Sequence, residues 1–116
     1  MKLDIGVRES EVIHHVYTNK IEMPISIDDY AFEVIITYEE ELGVGKVLKH
    51  IDIKDEEKCH TVDQYESFDD ILLYGLLILH YKDKMSDEKF RKELEDISNN
   101  ICKKVDKIIS DNEIMV

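Results

Sequence analysis

Cysteine, proline, glycine and arginine are all scarce in this chain of 116 residues. Two cysteines, Cys59 and Cys102, are too few for the disulfide framework of a small secreted domain, so we expect a cytoplasmic protein with reduced thiols. The segment Met1 to Gly6 lacks the apolar core of a signal peptide. The longest uncharged run, Ile71 to Tyr81, has 11 residues, whereas a transmembrane helix needs ~20. One proline and four glycines also exclude collagen-like and low-complexity chains.

Positive charge is scarce as well. The chain has 15 Lys and Arg against 27 Asp and Glu, a formal net charge of −12. Such a surface repels phosphates, which argues against direct binding to nucleic acid or to an anionic membrane. A basic protein is the partner that this charge favours, and the simpler interpretation is that the charge keeps the chain soluble.

Sequence signatures of catalysis, cofactor binding and metal binding are missing. There is no G-x-S-x-G and no P-loop, and Gly43-Val44-Gly45 lacks the later glycine of a dinucleotide site. Cys59-His60 stands alone without zinc-type spacing. His14 and His15, as neighbours on a predicted strand, point to opposite faces. We therefore predict a protein that is not an enzyme and has no cofactor and no metal.

Residues 1–54 alternate between apolar and polar, which predicts an antiparallel sheet of about four to five strands. The predicted strands are Lys2 to Gly6, Glu11 to Tyr17, Ile21 to Ile27, Ala31 to Glu40 and Lys46 to Lys54. Pro24 cannot donate to a ladder, so we expect its strand at an edge or with a bulge. Gly43 and Gly45 predict a hairpin turn, and a short helix over residues 46–50 is the alternative.

Residues 55–66 are predicted to form an acidic connector that leads into two helices. Ser67 and Asp70 resemble a capping box for a helix over residues 67–84. Apolar residues surround most of this helix, so we expect it to be buried between the sheet and the next helix, or else to lie at a dimer interface. Residues 86–110 are predicted to form an amphipathic helix, after which 111–116 are expected to fray. Strands followed by helices predict one α+β domain over residues 1–116, its antiparallel sheet packed on two C-terminal helices.

Negative charge is concentrated in two segments. Seven acids and no base lie between Lys20 and Lys46, and residues 55–70 hold seven acids and one lysine. On the predicted strand, alternate glutamates project from one face about 6.6 Å apart, a spacing that can imitate a phosphate track. Tyrosines among them offer amphipathic contact area. The predicted partner-binding residues are Asp28, Asp29, Tyr30, Glu33, Tyr38, Glu39, Glu40 and Glu41; a solvated sheet face is the simpler alternative.

These features together predict a small acidic binding protein that inhibits a basic target by occluding its nucleic-acid site. The expected target is a nuclease, an effector complex or a toxin, by compositional analogy with phage anti-defence and toxin-immunity proteins. One alternative is a homo-oligomeric accessory subunit with the Ile71 to Leu79 helix at its interface. Another is a protein that binds or sequesters a nucleotide signal between sheet and helices, for which the candidate residues are Arg8, His14, His15, Lys46, Lys49 and Lys54.

Overall fold

The computed structural model describes residues 1–11 and 17–116, and within them six strands precede two helices. The elements are β1 (Leu3–Ile5), β2 (Arg8–Glu11), β3 (Thr18–Ile27), β4 (Tyr30–Glu41), β5 (Gly45–Lys54), β6 (Cys59–Val62), α1 (Asp70–His80) and α2 (Glu88–Asp111). The sheet has the order β1-β3-β4-β5-β6, and β2 also pairs with β3. All of these pairings are antiparallel. The predicted α+β arrangement is confirmed.

Two strands lie where the sequence did not predict them. β6 falls inside the predicted connector and pairs with β5 from Lys54↔Cys59 to Ile51↔Val62. β2 is formed by the polar residues 8–11. Neither strand shows the alternation of apolar and polar residues that predicts a strand, because most of their described side chains are exposed. The predicted strand over residues 11–17, with His14 and His15, lies mostly outside the described residues. β5 runs unbroken over the segment 46–50, so the alternative of a short helix there is wrong.

Pro24 lies in an inner strand of the sheet, so the expectation of an edge strand is wrong. β1 pairs with residues 25–27 of β3 and β2 with residues 19–22, which leaves Pro24 opposite the gap between them. The carbonyl of Pro24 accepts a hydrogen bond of 2.9 Å from the N–H of Gly6 in that gap. A Cβ at Gly6 would lie 3.0 Å from Pro24 Cγ. The sheet therefore tolerates the missing N–H of Pro24 because its neighbouring strand is interrupted there.

The core lies between the helices and one face of the sheet, called here the inner face. Inner-face residues of β3, β4 and β5, the apolar stripe of α2 and the buried side of α1 form one buried cluster. Its members with at most 2% exposure are Ile21, Met23, Ile25, Ile27, Val34, Ile36, Ile51, Leu73, Leu77, Leu94, Ile101 and Val105. The alternation predicted for β3 and β4 and the three-and-four spacing predicted for α2 are both confirmed.

Helix α1 is shorter and more exposed than the sequence predicts. The helix begins at Asp70, where the Asp69 carboxylate caps it by accepting a 2.9 Å hydrogen bond from the Leu72 N–H. Ser67 lies in the 3-10 turn before it. Among the described side chains of α1, only Leu73 and Leu77 are buried, while Ile71 and Leu79 are 81% and 63% exposed. The expected burial between sheet and α2 is wrong, since α1 has one covered face.

The C-terminal residues return to the sheet after α2 ends. The N–H of Met115 donates to the Lys46 carbonyl and the N–H of Leu48 donates to the Met115 carbonyl, each at 2.9 Å. Ile114 is buried beside this contact. The expected fraying of residues 111–116 is therefore wrong, because the segment gains backbone partners on β5. In the part of the chain that the structure describes, neither helix combines the length and the apolar character that a membrane span requires.

Candidate functional site

The predicted partner-binding residues are spread along β4 and the turn before it. Asp28 and Asp29 form the turn before β4, and Glu39, Glu40 and Glu41 close the strand. At ~3.3 Å per residue, Asp29 and Glu40 lie about 36 Å apart. The eight residues therefore do not form one surface, and each end has to be considered separately.

Asp28 and its turn have a structural role. Asp28 adopts a positive φ of 53°. Its carboxylate accepts a 2.8 Å hydrogen bond from the Lys2 N–H, and its own N–H donates to the Lys2 carbonyl at 2.9 Å. Both contacts tie the start of β1 to the end of β3. Asp28 is consequently engaged within the fold.

Tyr30 is also engaged, beside this turn. Its ring stacks on His80 with centroids 3.6 Å apart, and its hydroxyl donates a 2.7 Å hydrogen bond to Asp55. Partial burial, and then the Asp55 carboxylate, raise the pKa of Tyr30 above its usual range. The same hydrogen bond, with N–H donors from Glu57 and Lys58, lowers the pKa of Asp55. Tyr30 thus joins β4, α1 and the β5–β6 connection.

The face of the sheet opposite the helices, called here the outer face, carries paired charges of both signs. Glu33 accepts a 3.1 Å hydrogen bond from Arg8, which also contacts Glu22. Lys49 lies 3.5 Å from Glu39 and 3.0 Å from Glu41, and its hydrogen bond to Glu41 raises the lysine pKa. Glu33, Glu39 and Glu41 do share this face. The neighbouring cations offset their charge, so this face differs from a continuous phosphate-like track.

Tyr38 belongs to the core. Its side chain is 7% exposed on the inner face, and the Lys46 ammonium lies 5.5 Å from the centre of its ring. Burial raises the pKa of the Tyr38 hydroxyl. The predicted use of Tyr38 as contact area for a partner is therefore wrong, because the ring packs inside the protein.

The far end of the β4–β5 hairpin combines exposed apolar side chains with carboxylates. Leu42 is 104% exposed, Tyr17 68% and Val44 57%. Met115 and Val116 add 42% and 70% exposed side chains from the C-terminal segment. Glu40, Glu41 and Glu113 are exposed beside them. These eight residues are called here the hairpin end, and most of them line an open groove of about 870 Å³.

Three chain segments hold the hairpin end in place. Gly43 and Gly45 take positive φ values of 78° and 117°, which a residue with a Cβ adopts only with strain. The Tyr17 carbonyl accepts a 2.9 Å hydrogen bond from the Glu40 N–H. Met115 is fixed on the other side by its backbone bonds to β5. A surface joined by backbone hydrogen bonds is ordered before a partner arrives, which lowers the cost of binding.

Sequence reasoning identified two of these residues, Glu40 and Glu41, and missed the apolar ones. Leu42 and Val44 could have been predicted, because they alternate with glycines in a turn, where apolar residues gain no burial. Tyr17 and Met115 had no such signal. Their place at the hairpin end depends on contacts between distant parts of the chain.

A smaller cleft of about 440 Å³ lies between α1 and the β5–β6 edge of the sheet. Phe32, Ile53 and Leu76 form part of its apolar wall, and His60 and His80 contribute imidazoles. The cations expected to bind a nucleotide do not line this cleft: Arg8 and Lys49 pair with glutamates on the outer face, and Lys46 lies at the hairpin end. Lys54 shares the outer face, while His14 and His15 lie outside the described residues.

Metal-binding groups do not gather in the described residues: no group of three or more His, Cys, Asp or Glu side chains over 1–11 and 17–116 could hold a metal ion. Cys59 is exposed on β6 with its sulfur 3.8 Å from an Asp52 oxygen, and Cys102 is buried in α2. Comparison of the chain with protein-family models, with curated proteins and with solved structures finds no match.

Proposed function

We propose that this chain is a non-catalytic binding protein that docks a basic protein through its hairpin end. The observation that carries the proposal is the set of exposed apolar side chains at one end of the molecule, Leu42 above all. Apolar side chains grouped on a surface and bordered by polar ones are characteristic of protein interaction sites. A protruding leucine can fill a pocket on a partner and supply much of the binding energy.

Charge supports a basic partner. Glu40, Glu41 and Glu113 border the apolar side chains, on a protein of net charge −12, and the charge of Glu41 is partly offset by Lys49. Carboxylates around an interface speed association with a positive surface and disfavour negative ones, nucleic acid included. Lys46 also lines the groove, but its ammonium is directed over the ring of Tyr38. The proposed partner therefore has a positively charged surface with an apolar pocket.

The finer proposal is that the occupied surface is the partner's nucleic-acid site. A nuclease, effector complex or toxin carries a basic groove where it holds phosphates. A narrow hairpin with carboxylates at its end has the shape and charge to enter such a groove. Inhibition would then follow from occupancy alone, without any chemical step on this chain.

A photo-crosslinking residue at Leu42 tests the first part of the proposal. We expect it to capture a basic protein from a lysate of the native host, whereas the same residue at Glu33 on the outer face does not. The captured protein, once purified, should lose binding to this chain when nucleic acid is added in excess. Binding that persists in the presence of nucleic acid would contradict occlusion while leaving docking intact.

Charge-neutralising variants test the second part. Replacing Glu40 and Glu41 together by Gln should weaken affinity for the purified partner about three- to tenfold and flatten its dependence on salt. The matched control replaces Glu95 by Gln and Asp96 by Asn, which removes the same charge from exposed positions of α2. Equal effects of the two variants would show that only net charge matters, and would contradict a local role for the hairpin end.

A further inference from the structure

The more exposed face of α1 is uncharged and has a half-buried glycine at its centre. At 100° per residue, Gly75 lies roughly opposite the midpoint of the buried Leu73 and Leu77. Ile71 and Leu79 lie one turn to either side of Gly75 and are 81% and 63% exposed. An atom built as a Cβ at Gly75 would meet nothing within 4 Å. The fold of one chain therefore gives no steric reason for a glycine that weakens the helix.

We infer that this face binds a second copy of the same chain, with the two α1 helices crossing antiparallel at Gly75. A glycine at a crossing lets two helix backbones approach closely. Because Ile71 and Leu79 are equally spaced from Gly75, a twofold axis there brings Ile71 of each copy against Leu79 of the other. The same contact is then made twice, as a twofold interface requires. The inference is independent of the function proposed for the hairpin end.

Charge selects the antiparallel arrangement. The exposed acids Asp63, Glu66 and Asp69 precede the uncharged face of α1, and the exposed bases Lys82 and Lys84 follow it, with Asp83 between them. The Lys84 ammonium lies 5.6 Å from the centre of the Phe90 ring of its own chain, so Lys82 is the main base offered to a second copy. Antiparallel helices place the acidic end of each copy near the more basic end of the other, whereas parallel helices would place the acidic ends together. The antiparallel pair also aligns opposite ends of the two helix dipoles.

The expected dimer is weak. A standard interface buries about 800 Å² on each partner, more than one face of an 11-residue helix about 16 Å long can supply. The repulsion between two chains of charge −12 weakens association further. We expect a dissociation constant in the micromolar range, so that monomer and dimer exchange with concentration.

Analytical ultracentrifugation of the full chain over a wide concentration range tests the inference. The wild type should pass from monomer to dimer, and Leu79→Glu should weaken the dimer by about 100-fold or more, since the dimer contains the substitution twice. Leu42→Glu is the matched control, because it makes the same change at a fully exposed leucine of the hairpin end. It should leave dimerisation unchanged while reducing binding to the basic partner. A chain that stays monomeric, or a dimer that Leu79→Glu leaves intact, would overturn the inference.

Two further variants test the crossing itself. Gly75→Ala should raise the thermal midpoint of the dilute monomer, because the added methyl meets open space, yet weaken the dimer about tenfold. A dimer strengthened by Gly75→Ala would contradict a crossing at this residue. Glu66→Lys and Lys82→Glu should each weaken the dimer, and the double variant should restore it. Failure of that restoration would overturn the antiparallel orientation.

Discussion

Truncating Leu42 should separate binding from stability. The Leu42 side chain is 104% exposed at the tip of the hairpin, so the folded protein gains no burial from it. We expect Leu42→Ala to change the free energy of unfolding by less than about 0.5 kcal/mol. Affinity for the partner should depend on Leu42, since a leucine that enters a pocket on binding becomes buried there.

The expected loss of affinity follows from the carbon atoms removed. Leu42→Ala deletes three carbons, and at about 0.8 kcal/mol for each buried CH₂ the loss is about 2.4 kcal/mol, or about 50-fold in Kd. Isothermal titration calorimetry against the partner captured by crosslinking measures this loss of affinity. Urea denaturation of each variant checks that its stability is unchanged. Leu79→Ala, titrated at concentrations where the chain is monomeric, is the matched control, because it makes the same deletion at an exposed leucine outside the hairpin end. Unchanged affinity for Leu42→Ala, or an equal loss for Leu79→Ala, would refute docking through the hairpin end.

Two other predictions concern the fold. Thr37 is 4% exposed, and its hydroxyl has no hydrogen-bond partner within the described part of the chain. Thr37→Val should therefore raise the free energy of unfolding by about 1 kcal/mol in urea titrations, and a lower midpoint would show that the hydroxyl is satisfied in solution. Burial raises the pKa of Tyr81 to about 12 from its usual 10.0, with Asp28 and Asp29 as lesser causes. The folded state therefore favours the neutral phenol, and its stabilisation is complete below pH 10 and lost as the pH rises towards 12. Tyr81→Phe should flatten this alkaline decline in stability, measured as the thermal midpoint against pH. At neutral pH it should cost about 1 kcal/mol, because the hydrogen bond to the Ile27 carbonyl is lost. A decline as steep as in the wild type would show that Tyr81 is not its source.

The glutamates of β4 show that charge counted along the sequence can misjudge the charge of a surface. Glu33, Glu39 and Glu41 are on one face, as alternation along a strand requires. The bases that pair with them come from other strands: Arg8 from β2, which β3 separates from β4, and Lys49 from β5. Charge counted along the chain could not reveal this pairing, because strand register decides which side chains meet.

Helix α1 shows a second limit of sequence reasoning. An apolar run predicts a helix, but the same run is compatible with burial inside one chain and with burial between two. Here α2 already covers much of the inner face of the sheet with its long stripe, leaving α1 with one covered side. The number of faces that a helix buries depends on the layers around it, which periodicity along one segment does not contain.

Alternation in β3 and β4, the three-and-four spacing of α2 and the order of strands before helices were enough to determine the α+β class, since these are local patterns with a fixed geometric meaning. Net charge predicts a basic partner, which the binding experiments test. Tertiary structure alone decided that the C-terminal segment returns to β5, that Tyr17 and Met115 join Leu42 at one end, and that a Cβ at Gly75 would meet open space. The reason is physical: each of these features depends on contacts between residues far apart in sequence, and such contacts leave no periodic trace in either segment.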